Sequence, residues 1–190
     1  MSTVPNGGYR NLTGTSMSSP LVAGGIALYL QQKPDDSAEL LFGNLINTAG
    51  SYADILAAIE VIPTPMLKVL SVVTLDTING QNGNTFIEPN EVIEIFPLAK
   101  NYWGPTDDVH VGIEFAEFED QTKASIIESE IAIGSVSEYA TLQDLTQSLK
   151  IQIASNVANN VNIKFNLKVW SGPNQEYLTK TEYVINVKNA

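Results

Sequence analysis

Two hydrophobic periods divide this chain. Through residue 63 the apolar positions recur at helical spacing; from Met66 onward they alternate. The first helix is predicted over residues 18–32. Val22, Ile26, Tyr29 and Leu30 fall on one face, and Leu21 and Leu28 on another. A helix apolar on nearly every side expects cover all round. Ala23, Gly24, Gly25 and Ala27 would let neighbouring backbones approach. Pro20 is tolerated because it falls in the first turn. A second helix is predicted over residues 37–48, capped by Asp36 or Ser37, with Leu40, Leu41, Leu45 and Ile46 at helical spacing and Gly50 as its stop. A third is predicted over residues 52–60, carrying Ile55, Leu56 and Ile59. Residues 2–13 read as extended chain, with a turn at Pro5 and Asn6-Gly7-Gly8.

Pro63-Thr64-Pro65 breaks the helical pattern and marks a domain boundary. Beyond it come short stretches of period 2. They are predicted over residues 67–75, 92–97, 109–116, 126–133, 149–153, 161–170 and 177–187, with turn residues at 101–105, 159–160 and 171–175. Val109, Val111, Ile113 and Phe115 face one way; His110, Gly112, Glu114 and Ala116 face the other. Seven or so such strands are the pattern of an antiparallel sandwich.

Composition narrows the function classes. At 190 residues and 44% apolar content the chain is long enough for one or two domains with a real core. Its net charge is −11, with −3 in residues 1–63 and −8 in the remainder. An acidic surface repels phosphate, which argues against nucleic acid as a partner. There is no cysteine, so disulfide frameworks and cysteine–zinc sites are excluded. The apolar run 21–30 is too short to span a bilayer. Asn11-Leu12-Thr13 fits a glycosylation sequon.

The candidate chemistry lies in Gly14-Thr15-Ser16-Met17-Ser18-Ser19-Pro20, at the mouth of the first helix. A serine there is commonly only an N-cap. The same place sets a hydroxyl beside unpaired backbone N–H groups and the positive end of the helix dipole, which suits an attacking alkoxide and the oxyanion it creates. The heptapeptide resembles the serine motif of subtilisin-like peptidases, Gly-Thr-Ser-Met-Ala-x-Pro. Ser18 replaces the usual Ala, and Leu21 stands where the family often has a noncatalytic His. Asn47-Thr48-Ala49 resembles the close of the family's next helix, and residues 52–59 its last one. The resemblance covers about 60 residues and implies that Ser16 is the nucleophile, with its own backbone N–H as an oxyanion donor. In that family the triad runs Asp, His, Ser along the chain. Only 15 residues precede Ser16, and the one histidine, His110, follows it. The resemblance therefore implies the C-terminal portion of a longer secreted endopeptidase, acting on peptide substrates and inactive by itself. The apolar helix 18–32 would be covered by the second domain or by another copy of the chain, as a homodimer.

Asn82-Gly83-Asn84, Glu88-Pro89-Asn90-Glu91 and Lys100-Asn101-Tyr102-Trp103-Gly104 resemble a pattern of the immunoglobulin-like modules that follow catalytic domains in bacterial secreted peptidases. The expected fold is thus α+β: a helical C-terminal remnant of a subtilisin-like α/β domain over residues 1–63, then an antiparallel immunoglobulin-like β-sandwich over 66–190. An accessory binding or tethering module without catalysis is the alternative function. Asp76, Asn79, Asn82, Asn84, Glu88 and Glu91 cluster oxygen ligands that suit calcium. Their spacing does not match an EF-hand loop, and Asn and Gly are also ordinary turn residues. The eight carboxylates of residues 107–130 read as a solvated strand edge, and His110 as a surface residue. Trp103 and Trp170, with Tyr102 and Tyr177, serve as core packing or as a ligand platform.

Overall fold

The computed structural model describes residues 2–11, 14–50, 52–78 and 86–188. The chain divides into two compact units, Met1–Pro63 and Thr64–Ala190.

The first unit opens with a hairpin of β1 (Ser2–Val4) and β2 (Gly8–Arg10), in which Val4 lies opposite Gly8. Asn6 and Gly7 hold φ of 69° and 78° between them. These two residue types enter that left-handed region most readily, and they close the hairpin. Three helices follow: α1 (Thr15–Gln32), α2 (Ala38–Thr48) and α3 (Ile55–Glu60). α2 is capped by Ser37, whose Oγ accepts the Leu40 N–H at 3.0 Å. α3 is capped by Asp54, which accepts the Ala57 N–H at 2.9 Å. Residues 52–54 therefore lie before α3, not in it. The core here is small: Tyr29, Leu41 and Ala58, with Ile26, Leu45 and Ile59 against them.

The second unit is built from β3 (Leu67–Ile78), β4 (Val92–Asn101), β5 (Thr106–Phe115), β6 (Ala124–Glu128), β7 (Glu130–Val136), β8 (Thr141–Leu142), β9 (Leu149–Ile153), β10 (Val161–Ser171) and β11 (Thr179–Val187). One sheet runs β3-β4-β9-β6, with β8 beside β4; the other runs β11-β10-β5-β7. The alternating apolar residues of both sheets enter one shared core. Ile93, Ile95, Leu149 and Ile151 come from the first sheet; Val109, Val111, Phe165 and Leu167 come from the second. The two sheets thus pack face to face as a sandwich.

The α+β expectation is corrected by this architecture. The chain is mostly β, its strands lie in three antiparallel sheets, and residues 1–63 are not a helical remnant of an α/β domain. The reason is visible in the first unit. Its N-terminal segment spends its backbone hydrogen bonds in a hairpin, and among the described residues no parallel sheet backs α1. Leu21 and Leu28 of that helix are 77% and 59% exposed.

A second correction concerns residues 126–133. They are two strands, β6 and β7, and belong to different sheets. The break falls at Ser129, whose carbonyl accepts the Ile113 N–H at 2.9 Å. The buried positions change parity across the break, from Ala124 and Ile126 in β6 to Ile131 and Ile133 in β7, with Glu128-Ser129-Glu130 between them.

Candidate functional site

Gly14 sets the position of Ser16. Its φ of 153° and ψ of 165° lie in a region that is essentially open to glycine alone. The chain turns there and enters α1 at once. The Met17 and Ser18 N–H groups both donate to the Gly14 carbonyl, at 3.0 and 3.3 Å. α1 thus begins at Thr15, three residues before the predicted start, and Ser16 lies in its first turn. Ser16 is exposed. Amides of a first turn have no carbonyl one turn back inside the helix. The Ser16 hydroxyl and N–H therefore sit together at the positive end of the helix dipole.

The far end of α1 is held by a buried polar chain. The Asn44 side-chain amide donates to the Tyr29 hydroxyl at 2.6 Å, and that hydroxyl donates to the Asp36 carboxylate at 2.5 Å. Burial, and then the bond to Asp36, pushes the Tyr29 pKa up to about 12. The middle of α1 is held by Gly25, against which Ile55 of α3 packs.

Residues 1–63 contain no histidine. The chain's one histidine, His110, belongs to the second unit and has other work there. Its Nε2 lies 2.8 Å from Asp108, and its ring stacks on Trp170 with 5.4 Å between centroids. Its Nδ1 lies 2.8 Å from Glu130 but off hydrogen-bond direction. The polar strand face proposed for His110 is thus half-buried under carboxylates and an indole. Trp170 is buried in the same stack, with the Lys168 ammonium 5.3 Å from its ring.

Of the oxygen-rich stretch, Asn79, Asn82 and Asn84 lie outside the described residues. So do Leu12 and Thr13 of the sequon. Asp76 Oδ2 is buried without a hydrogen-bond partner. Glu91 is 5% exposed and accepts the Glu88 N–H at 2.8 Å. Burial above all raises its pKa; the Glu88 N–H opposes this, and the charges of Asp76 and Glu88 add to it. Among the described residues no three acidic or histidine side chains converge as a metal-binding group.

Asn101 is a structural centre that its sequence context did not announce. It is fully buried, and its side-chain amide donates to the carbonyls of Gly104 at 2.7 Å and Ser137 at 3.1 Å. Its Oδ1 accepts the Met66 N–H at 3.1 Å. One side chain thereby ties the start of the sandwich to two of its turns.

Residues 1–90 match the family model Peptidase_S8, the subtilase family. The matched segment contains Gly14, Ser16 and all three helices. No curated protein matches the chain. Among solved structures, a conjugative transposon lipoprotein from Bacteroides eggerthii aligns at 11% identity with a TM-score of 0.31, over 64% of this chain and 95% of that one. Among the described residues no helix is long and apolar enough to cross a membrane.

Proposed function

We propose that this chain is the C-terminal portion of a secreted, subtilisin-like serine endopeptidase, and that Ser16 is its nucleophile. The observation that carries this reading is the glycine-only turn at Gly14, which leads straight into Ser16 in the first turn of α1, inside a segment related to subtilases. Ser16 Oγ attacks the scissile carbonyl, and the Ser16 N–H donates to the oxyanion that forms. The general base and the carboxylate that orients it come from outside these residues. The only histidine within them is already engaged by Asp108 and Glu130. Loss of the base costs a serine protease about 10⁶ in kcat, so the chain alone does not cleave peptides.

The exposed Leu21, Val22, Leu28 and Leu30 of α1 support a further element of this reading. In the working enzyme that helix is covered, by other parts of the peptidase or by a second copy of the chain. The second unit is an accessory module. Its strand order, β3-β4-β9-β6 against β11-β10-β5-β7, supports an immunoglobulin-like arrangement. Its large independent core favours a second reading, in which the unit tethers or binds and does no catalysis of its own.

The test supplies the missing groups in trans. A subtilase segment carrying the Asp and His is added to this chain, with a fluorophosphonate as reporter. Labelling that Ser16→Ala abolishes, and that Ser18→Ala and Ser19→Ala preserve, supports the assignment. Labelling indifferent to Ser16→Ala overturns it.

A further inference from the structure

We propose that the second unit binds an extended basic polypeptide, added as a strand to the edge of β6, with one arginine or lysine side chain seated in the cavity beside it. The proposal is independent of the role assigned to Ser16.

The cavity has a volume of about 460 Å³, within the usual range of ligand sites. Glu94, Glu128, Glu130 and Lys150 line it, with Phe96 and Leu145 as apolar contributors. Three carboxylates against one ammonium leave the lining at −2. Lys150 and Glu94 already face each other at 3.6 Å, and the Ser148 hydroxyl donates to Glu94 at 2.9 Å. Glu128 is exposed at the end of β6. An aliphatic stem that ends in a cation matches this combination: the stem lies on Phe96 and Leu145, and the head meets the carboxylates. A phosphate or carboxylate ligand would meet repulsion.

The sheet edges supply the second, independent argument. β6 ends one sheet and β7 ends the other, and both border the cavity. Among the described residues β6 pairs only with β9. A free edge offers backbone N–H and C=O groups to an incoming strand, and proteins usually protect such an edge. Here it carries Ile127, which is 54% exposed at the register shift between Ile126 and Glu128, so a regular incoming ladder is open along residues 124–126; Leu145, 66% exposed, lines the cavity. An exposed leucine on an acidic cavity, next to an edge strand with an exposed isoleucine, fits an extended peptide whose alternate residues point down and up. The net charge of the whole chain, −11, draws the same class of partner.

The cavity is shaped before any ligand arrives. Asp144 accepts the Thr146 N–H and hydroxyl at 2.7 and 2.6 Å and the Gln147 side-chain amide at 2.9 Å, which fixes the loop that carries Leu145. Binding therefore orders the peptide more than the protein.

The probe is acetyl-Thr-Val-Arg-Val-Thr-amide, titrated into the nitrogen-15-labelled full chain. Amide shifts should appear at both residues 125–128 and 145–150. The peptide with Glu in place of Arg should produce none. Glu128→Gln lies on the exposed rim, so the fold should be unchanged while affinity falls about two- to fivefold, the range of an exposed ion pair. A peptide N-methylated on the backbone should lose binding. The absence of shifts would overturn the proposal, as would equal binding of the Arg and Glu peptides. Agmatine that binds as well as the peptide would also overturn it, because the strand edge would then contribute nothing.

Discussion

Ile55 of α3 packs directly onto Gly25 of α1. A methyl group at Gly25 would stand 2.6 Å from both Cγ1 and Cδ1 of Ile55. A methyl group on its neighbour Gly24 would meet nothing within 4 Å beyond the helix itself. Two adjacent glycines of one helix therefore carry opposite predictions. Gly24→Ala should stabilise α1 by about 0.5–1 kcal/mol, since alanine is the better helix former. Gly25→Ala makes the same gain but overpacks the junction, at a cost of about 1–3 kcal/mol, so it should destabilise. Hydrogen exchange of the α1 amides reads both changes. Adding Ile55→Ala should relieve the clash at Gly25→Ala and leave Gly24→Ala unaffected.

Asn101→Ala should cost the second unit about 3 kcal/mol. It removes the partner of the half-exposed Met66 N–H, of the Ser137 carbonyl and of the buried Gly104 carbonyl. Asn101→Asp keeps the acceptor, loses the bonds donated to Trp103, Gly104 and Ser137 and buries a charge, so it should also destabilise. Urea denaturation followed by tryptophan emission measures both variants.

Glu91 predicts a pH dependence whose sign is opposite to that of most carboxylates. Burial first, then the charges of Asp76 and Glu88, raise its pKa above the ordinary 4.5. A raised pKa in the folded state means that its contribution is fully present below 4.5 and is lost as pH rises through the folded value. Glu91→Gln retains an acceptor for the Glu88 N–H and removes the charge. It should raise the thermal midpoint at pH 7, and the gain should shrink as the pH approaches 4.5. A lower midpoint at pH 7 would contradict this account of the site.

Tyr29 gives the first unit an alkaline limit. Its pKa rises from 10.0 to about 12 through burial and the bond to Asp36. The unfolded chain ionises this group first, so stability present below pH 10 should be lost as pH climbs to about 12. Hydrogen exchange in α1 and α2 should accelerate across that window. Tyr29→Phe should weaken the unit at neutral pH, because the bonds of the hydroxyl to Asn44 and Asp36 are lost, and should flatten the alkaline loss.

The sequence was legible where one local pattern decides one local structure. Leu40, Leu41 and Leu45 mark α2, and Gly14-Thr15-Ser16 marks a glycine turn before a serine. It was less legible where distant partners decide. At Ser129 the carbonyl bonds the distant backbone of Ile113, but the change of apolar parity from Ile126 to Ile131 across Glu128-Ser129-Glu130 was a local sign of the break that a single strand over 126–133 passed over. His110 alternates as a polar-face residue, yet Trp170, Asp108 and Glu130 close around it from β10, β5 and β7. Asn101 stood in a turn-like string, and only the fold shows its amide reaching Ser137. The α+β expectation failed for the same reason. The extended chain and the turn at Asn6-Gly7 were legible; what local pattern did not show is that this segment pairs with itself as an antiparallel hairpin and not with a parallel sheet.

The role proposed for Ser16 puts a nucleophile in this chain and its general base outside it. Intact-mass analysis after exposure of the folded chain to a fluorophosphonate tests it most directly, with a denatured control alongside. The account predicts no adduct in either sample. An adduct on Ser16 in the folded sample alone would contradict it, because a base and an oxyanion site would then exist within these 190 residues.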